Sequence, residues 1–370
     1  MPDGRHQSVL MQEVMTALAP VPGGTYVDAT FGDGGHSRAI LQAIGPHGRL
    51  FALDRDQTAL QRNADWLASH AEQLTAIHTP FSRLQAVLAE RNVETVQGVL
   101  FDLGVSSRQL DEPERGFSFQ TDGPLDMRMD QSADKAGDSP TDWLEPPPRT
   151  GRLPEWAPSG QMTAATMVNT FEKEALADIF FQFGEERHAR RIAQAIVMDR
   201  QKTPFTTTRQ LASLLERITP GRPEAIHPAT RIFQALRIAV NRELDELHQG
   251  LRDALALLAD GGRMVVISFH SLEDRMVKQT FRQAVDPLQR PSGASLGPDC
   301  LVQPPATDPL FRLLTRKPLS AGQAEIARNP RSRSARLRAI ERLIGGADRT
   351  ALPSPSVHRR PPPVPCESVP

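Results

Sequence analysis

The stretch from Tyr26 to Ser37 limits the fold of this chain more than any other. It reads YVDATFGDGGHS: a short apolar run ends in Asp28, three glycines (Gly32, Gly34 and Gly35) follow within a few residues, and a helical pattern begins. This order predicts a strand, a tight turn and the start of a helix. In an open α/β sheet such a turn lies at the carboxyl end of a strand, where a ligand can approach glycine backbone and the positive end of the helix dipole.

Two further apolar runs repeat this pattern and also end in acids. They span Leu50 to Asp54 and Val96 to Asp102, with a shorter run from Leu74 to His78 between them and helical segments in the gaps. Regular alternation of strand and helix predicts a doubly wound, mostly parallel, Rossmann-like α/β sheet. In such a sheet the carboxylates of Asp28, Asp54 and Asp102 lie at the same edge.

The alternation stops after Leu103 and resumes near residue 223, which predicts an inserted all-helical domain. We expect four parts: sheet domain 1–110, helical insertion 111–222 with a disordered loop at 131–160, sheet domain 223–345, and a disordered tail at 346–370. In the third part, Pro228 to Ala259 predicts one long helix, Arg263 to Phe269 a buried strand and Phe311 to Thr315 a late strand.

The composition excludes several classes of protein. A formal net charge of −1 gives no global basic field, so any RNA-binding surface must be local. The two cysteines, Cys300 and Cys366, form neither a disulfide framework nor, by themselves, a zinc site, and no metal is expected. No apolar run approaches the ~20 residues of a membrane span, and the first residues lack a signal-peptide pattern. A cytoplasmic protein without membrane contact is therefore predicted.

The glycines and acids together indicate a cofactor that contains a nucleoside. Asp54 lies about twenty residues after Gly34, the spacing at which a carboxylate accepts hydrogen bonds from a ribose diol. NAD favours G-x-G-x-x-G, but the sixth position counted from Gly32 is Ser37, and the lysine of a triphosphate-binding loop is absent. S-adenosylmethionine has no phosphates and requires neither feature, so the pattern favours it.

Longer blocks of the sequence carry a specific resemblance. They include DATFGDGGHSRAIL from residue 28, FDLGVSSRQLDEPERGFSF at 101–119, GPLDMRMD at 123–130, HPATRIFQALRIAVNREL at 227–244, GGRMVVISFHSLEDR at 261–275 and NPRSRSARLR at 329–338. In these blocks the chain resembles the bacterial 16S rRNA cytosine-N4 methyltransferase family, RsmH/MraW. The resemblance extends in order over nearly the whole chain. Residues 131–160 and the tail after Gly345 are longer than the family usually carries.

The resemblance implies a class I methyltransferase sheet that binds S-adenosylmethionine. It implies methylation of the exocyclic N4 of one cytidine in the decoding region of 16S rRNA, within the small ribosomal subunit. Carried over by position, the expected cofactor contacts are Gly34, Gly35, His36, Asp54, Phe81, Asp102 and Gln109. The residue pattern by itself indicates the glycines and Asp54, gives Phe81 a role as an apolar wall near adenine, and does not identify Gln109.

The chemistry of the methyl transfer adds one catalytic candidate. Methylation at cytosine C5 requires a cysteine nucleophile, and neither Cys300 nor Cys366 is predicted at a strand end facing the cofactor. An amine needs an acceptor that orients its N–H groups and removes a proton. Asp102 occupies the position after the fourth strand where such an acceptor is expected. The same residue is also an expected cofactor contact, and the two roles remain open.

Contacts with RNA are expected across the crevice from the glycine turn, where an unpaired or flipped base must be held. The candidates are Ser106, Phe117, Phe119, His270, Arg331 and Arg333, with one of the two phenylalanines stacking on the base. Two local basic segments could contact phosphates: Arg328 to Arg342, which contains six arginines, and Arg187 to Arg191 on one predicted helix.

Two other functions remain alternatives at the level of sequence. A non-catalytic ribosome-assembly factor could keep the fold and bind RNA, although the intact glycine turn with Asp54 and Asp102 argues against it. A nicotinamide-dependent oxidoreductase is disfavoured by the missing sixth-position glycine. A homodimer is compatible with the sequence.

Overall fold

Apolar runs that stop at polar residues form the strands of one central sheet. The computed structural model describes residues 8–131, 162–219, 227–286 and 310–345. The strands are β1 (Thr25–Asp28), β2 (Arg49–Asp54), β3 (Leu74–His78), β4 (Val96–Asp102), β5 (Leu258–Ser268), β6 (Phe311–Leu313) and β7 (Arg336–Arg342). Side chains alternate between the two faces of the sheet, with Val27 and Phe51 in one core cluster and Tyr26 and Leu50 in the other.

The strand order in the sheet is β3-β2-β1-β4-β5-β7-β6. Strands β1 to β5 pair in parallel with one another, whereas β7 pairs antiparallel with both β5 and β6. The order reverses between β1 and β4, which makes the carboxyl ends of these two strands the topological switch point. The predicted doubly wound, mostly parallel α/β sheet is confirmed.

Helices cover both faces of the sheet and build a separate helical body beside it. In the first part of the chain they are α1 (Met11–Leu18), α2 (Gly35–Ile44), α3 (Gln57–Arg62), α4 (Ala64–Ser69), α5 (Leu84–Ala89) and α6 (Ser107–Asp111). The helical body contains α7 (Ala164–Thr170), α8 (Lys173–Gln182), α9 (Ala189–Arg200), α10 (Thr208–Ile218) and α11 (Ala229–Asn241). The remaining helices are α12 (Glu243–Leu257), α13 (Ser271–Val285) and α14 (Gln323–Arg328).

The helical body has its own apolar core. Phe180, Ile196, Leu214 and Leu236, from four different helices, are buried in it together with residues that follow α6. Helix α11 belongs to this core although it lies after residue 222, so the packing crosses the predicted domain boundary. The boundary itself stays a prediction.

The predicted helix from Pro228 to Ala259 is wrong as a single element. It is broken at Arg242, whose φ of 51° is left-handed, and the two pieces pack in different cores. The buried Asn241 explains the break. Its side-chain amide donates to the Met127 carbonyl, and its Oδ1 accepts from the Met129 backbone N–H. Hydrophobic periodicity continues through the break and cannot reveal it.

Part of the basic segment from Arg328 to Arg342 forms a strand, β7, which the sequence pattern did not predict. Leu337 and Ile340 are buried in the two core clusters. The guanidinium of Arg338 donates to both oxygens of Asp274, at 2.7 and 3.1 Å, and is buried with it. Because buried arginines need a charged partner, this strand depends on a carboxylate far away in sequence.

The sheet and the helical body are joined by a buried ion pair. Arg115 Nη1 lies 2.8 Å from Asp56 Oδ2, and its Nη2 donates to the carbonyls of Arg128 and Met129. The same Asp56 oxygen accepts from Gln109 Nε2 at 2.8 Å. Burial raises the pKa of Asp56, but hydrogen bonds from Thr58 and the charge of Arg115 outweigh it, so its pKa is lowered overall.

Several predictions fall on residues outside the described ranges. They concern most of the loop at 131–160, the tail at 346–370 and both cysteines, Cys300 and Cys366. Among the described helices, none combines the length and apolar character needed to cross a membrane.

We expect Arg115→Ala to destabilise the fold by about 3–5 kcal/mol, because it leaves Asp56 buried without its cation. The measurement is the unfolding free energy from urea titration. Arg62→Ala is the matched control, since it breaks the solvent-exposed pair between Arg62 and Glu112 and should cost less than ~1 kcal/mol. Equal losses in the two variants would contradict the assignment.

Candidate active site

The glycine turn is held in place by two carboxylates. Asp54 Oδ2 accepts the Gly32 N–H at 2.7 Å, and its Oδ1 accepts the Asp56 N–H at the same distance. Asp28 Oδ2 accepts from the hydroxyl of Ser37 at 2.6 Å, and Oδ1 accepts the Thr30 N–H at 3.2 Å. These bonds fix the path of the backbone from the end of β1 into α2.

The space into which a side chain would extend at Gly34 and at Gly35 is filled by protein atoms. Gly34 has a left-handed φ of 74°, and a Cβ there would lie 2.8 Å from the ring of Phe31. A Cβ on Gly35 would lie 2.0 Å from Ser8 Oγ. The sequence suggested that glycine leaves room for a ligand, but the structure shows that these two glycines are required by the turn and its packing.

A cavity of about 420 Å³ opens at the carboxyl ends of β1, β2, β4 and β5. Its size suits a nucleoside-sized ligand. Six of the seven expected cofactor residues line it: Gly35, His36, Asp54, Phe81, Asp102 and Gln109. Gly34 precedes them as the N-cap of α2, and no described side chain caps this helix end. The fold therefore brings together, around one cavity, six residues from distant parts of the sequence that were expected to contact the cofactor.

Burial raises the pKa of Asp54 to about 6, against an ordinary value of 3.8, even though two backbone N–H groups stabilise its charge. Burial also raises the pKa of Asp28, partly offset by the Ser37 hydroxyl. Two carboxylates with raised pKa therefore lie behind the turn, and the charge on Asp54 is sensitive to pH just below neutrality.

His36 and Asp102 form a pair of polar groups with unused hydrogen-bonding capacity. His36 is buried, its Nε2 lies 3.5 Å from Asp102 Oδ2, and neither ring nitrogen makes a well-aligned hydrogen bond within the described structure. Asp102 Oδ1 is also buried without a partner there. Burial lowers the pKa of His36, but the nearby carboxylate of Asp102 outweighs it and raises the pKa.

Gln109 and Ser106 have local roles that also place them at the cavity. The Ser106 hydroxyl accepts the Gln109 N–H, and Gln109 Oε1 accepts the Ser106 N–H, which caps α6 at both positions. The amide nitrogen of Gln109 is fixed on Asp56. The S-x-x-Q spacing of Ser106 and Gln109 could have signalled the helix cap, but the contact of Gln109 with Asp56 depends on a residue far away in sequence.

Phe81 contributes apolar surface to the cavity, and its role near adenine stays a prediction. Its ring meets Phe101 edge-to-face with centroids 5.5 Å apart, and its other side lines the cavity.

Three of the RNA candidates lie away from the cavity. Phe117 is buried in the core of the helical body, and Phe119 stacks on His227 with ring centroids 4.5 Å apart. Arg333 is exposed near the end of α14 and does not line the cavity. Neither phenylalanine lines the cavity, and the stacking of one of them on a base stays a prediction.

The other RNA candidates do line the cavity. Arg331 reaches it and pairs with Asp111 at 2.6 Å. His270 is the N-cap of α13, and its Nε2 lies 3.1 Å from Glu273 Oε1. The predicted basic segment from Arg187 to Arg191 is exposed around the start of α9, with Ala189 buried among its basic residues.

A buried charge network beside His270 was missed by sequence reasoning. Arg237 donates to both oxygens of Glu243 at 2.8 Å, and Glu273 Oε2 accepts the N–H groups of Phe269 and His270. Glu243, His270 and Glu273 place three potential metal-ligand atoms within 4.8 Å of one another, but the two carboxylates are already engaged by these donors. Burial raises the pKa of Glu273, but His270 and Arg237 outweigh it and lower the pKa overall. Glu243 lies in the segment NREL, and His270 and Glu273 lie in the segment SFHSLED. The sequence pattern does not indicate that these two segments come into contact.

Comparison with known proteins gives a consistent match over most of the chain. The model of the MraW methylase family matches residues 3–146 and 156–343. A ribosomal RNA small subunit methyltransferase H from Syntrophotalea carbinolica is 50% identical over 341 residues, covering 92% of this chain and 98% of the relative. Proteins of the same name from Magnetococcus marinus and Bradyrhizobium diazoefficiens are each 48% identical, again over 92% of this chain, and are covered over 99% and 93% of their lengths.

We expect Gly34→Val to destabilise the fold more than Gly23→Val. Both glycines have φ near +75°, which costs an L-residue roughly 1–2 kcal/mol. Only at Gly34 does the new side chain also meet an aromatic ring, because the space at Gly23 is open. The difference between the two unfolding free energies measures the clash with Phe31, and equal losses would refute the packing role.

The raised pKa of Asp54 predicts a specific pH dependence of stability. Between about pH 4 and pH 6 the folded protein keeps a proton on Asp54 that the unfolded chain has lost, so this group lowers the unfolding free energy as pH rises. Asp54→Asn cannot ionise. We expect wild type to lose up to ~3 kcal/mol relative to the variant between pH 4 and pH 7.

The measurement is the unfolding free energy of both proteins across this pH range. Asp65→Asn, at an exposed position on α4, is the control and should run parallel to wild type. A constant difference between wild type and Asp54→Asn would show that Asp54 has an ordinary pKa.

Proposed function

The chain belongs to the MraW methylase family, and on that premise we propose that it methylates the exocyclic N4 of a cytidine in the decoding region of 16S rRNA. The methyl donor is S-adenosylmethionine, the acceptor lies in the small ribosomal subunit, and the reaction takes place in the cytoplasm. The names of the relatives support the ribosomal RNA of the small subunit as substrate. The choice of cytidine N4 rests on the resemblance in sequence and on the acceptors in the cavity.

The observation that carries the proposal is the pair His36 and Asp102 at the topological switch point. Buried polar groups without partners are costly and are retained where a ligand or a reaction uses them. Within the described ranges, Oδ1 of Asp102 has no hydrogen-bond partner, while Nε2 of His36 lies 3.5 Å from Oδ2 of the same carboxylate, and both residues line the cavity. An unused carboxylate oxygen suits a ligand with an amino group.

The residues present fit S-adenosylmethionine. Helix α2 begins directly after the glycine turn at the end of β1, where Gly34, Gly35 and His36 would hold the amino-acid part. Asp54 would accept from the ribose hydroxyls through the lone pairs that its two N–H donors leave free. Phe81 would cover the base, and Gln109 would close the cavity from α6. When bound, the cofactor supplies an electrophilic methyl group.

Asp102 is positioned to act on the attacking amine. The lone pair of a cytosine N4 is delocalised into its ring, so the amine is a weak nucleophile. A carboxylate oxygen that accepts one N–H orients the amine, and it can take the proton as the new N–C bond forms. Oδ1 of Asp102 is free for this task, while Oδ2 faces the imidazole of His36, which would stabilise the carboxylate when protonated.

The cytidine must leave its stack to reach this depth. The crevice between the sheet and the helical body provides the entrance, with Arg331 and His270 at the cavity. The exposed Arg187, Arg190 and Arg191 lie on the helical body, where they could contact phosphates at its surface.

The proposal is tested by incubating the protein and labelled S-adenosylmethionine with small subunits from a strain that lacks it, followed by nucleoside analysis. We expect the label only in N4-methylcytidine. Label in another nucleoside would refute the N4 assignment. Cofactor binding without any transfer would instead support the non-catalytic assembly factor.

Asp102→Asn should lower kcat for this transfer by about 10²–10⁴-fold, because the amide cannot accept the proton. Binding of S-adenosylhomocysteine, measured by calorimetry, should change much less. Asp260→Asn is the control, since Asp260 is exposed near the start of β5, at the opposite edge of the sheet, and should retain full activity. A wild-type kcat in Asp102→Asn would exclude Asp102 as the proton acceptor.

A further inference from the structure

Glu246 on α12 carries a buried carboxylate oxygen that the proposed reaction does not use. The residue lines the cavity, and its Oε2 is shielded from solvent without a hydrogen-bond donor in the described parts of the chain. Leaving such an oxygen unpaired is unfavourable, so its presence in a ligand cavity indicates that a ligand supplies the donor.

The packing of α12 places Glu246 one helical turn from the contact between this helix and Phe81. A Cβ on Gly250 would lie 2.7 Å from Phe81 Cδ2, so the helix backbone presses against the phenylalanine ring there. Glu246 lies four residues before Gly250 and therefore on the same face of α12, one turn away. Leu247 packs in the same core cluster as Phe81 and also lines the cavity. Phe81 and Glu246 thus line the same cavity, from the segment after β3 and from the helix that packs on it.

The order of the strands identifies what occupies the part of the cavity that Phe81 lines. The glycine turn follows β1, Asp102 ends β4, Asp54 ends β2, and Phe81 follows β3, the strand beyond β2. A nucleoside held through its ribose at Asp54, with its amino-acid part over β1 and β4, must therefore direct its base toward β3. The segment after β3, residues 79–82, offers no carboxylate of its own.

We propose that Glu246 Oε2 accepts a hydrogen bond from the exocyclic amino group of the adenine ring of the cofactor, while Phe81 covers the ring. The inference rests on the proposed function, since it assigns the far end of the same cofactor site. A carboxylate only accepts hydrogen bonds. It therefore selects a purine with an amino donor at this position and rejects one with a carbonyl oxygen there.

The test compares two ligands that differ in this one group, S-adenosylhomocysteine and S-inosylhomocysteine, by calorimetry on the full chain. Wild type should bind the adenosyl compound at least about tenfold more tightly. Glu246→Gln has the same shape, and its amide can either donate or accept. The preference should therefore fall to within about threefold.

Two controls separate this role from general effects. Asp245→Asn changes an exposed carboxylate on the same turn and should keep the wild-type preference. Phe81→Leu removes the aromatic surface and should weaken both ligands alike, which leaves their ratio unchanged. If Glu246→Gln does not fold, Glu246→Asp withdraws the carboxylate by one methylene and should likewise reduce the preference.

Equal binding of the two ligands by wild type would overturn the inference, as would an unchanged preference in the folded Glu246 variants. These outcomes are distinct from failure of the proposed function. Normal transfer to small subunits without base discrimination would refute only the role of Glu246. Clear discrimination without methyl transfer would refute the enzymatic proposal and leave the adenine contact standing.

Discussion

The carboxylate of Asp54 holds the part of the molecule on which the site depends. Both of its oxygens accept backbone N–H groups, one from the glycine turn after β1 and one from the segment that leads into α3. This joins the ends of two neighbouring strands at the edge of the sheet where the cavity opens. Burial makes the arrangement electrostatically expensive, as the raised pKa of Asp54 shows. The fold retains it because a turn with this path orients the start of α2 toward the cavity.

The crevice lies where the apolar core of the helical body meets that of the sheet, and buried polar contacts connect the two cores there. Helices α11 and α12 are continuous in sequence but pack in different cores, with the change at Arg242. Between the two cores, Arg115 and Gln109 converge on Asp56, and Asn241 binds the backbone near Met127. Buried polar pairs add little net stability compared with apolar packing, but they require one geometry. They thereby fix the width and orientation of a cavity whose walls come from both bodies.

Local pattern was sufficient for most of the sheet. The limits of β3 and β4 were predicted to the residue, and the glycine turn with its acids lies where the spacing placed it. The errors have a shared physical origin. Strand β7 was interpreted as a basic segment because the acids that pair with its arginines, such as Asp274, lie far away in sequence. The helix break at Arg242 depends on Asn241, whose side chain reaches the backbone carbonyl of Met127. The packing partners of Phe117 and Phe119 also come from distant helices, so local pattern could not predict how these two rings are packed.

The sequence alone determined the class of sheet, the glycine turn, the three acids at strand ends and the family, because these follow from periodicity and from residues close together in the chain. Only the tertiary structure decided which polar atoms remain without a partner. His36, Asp102 and Glu246 keep unused capacity in the cavity, whereas Arg338, Gln109 and Asp56 are satisfied elsewhere. Whether a buried group is paired depends on what the fold brings within about 3 Å of it, and that distance is set by packing between elements rather than by spacing along the chain.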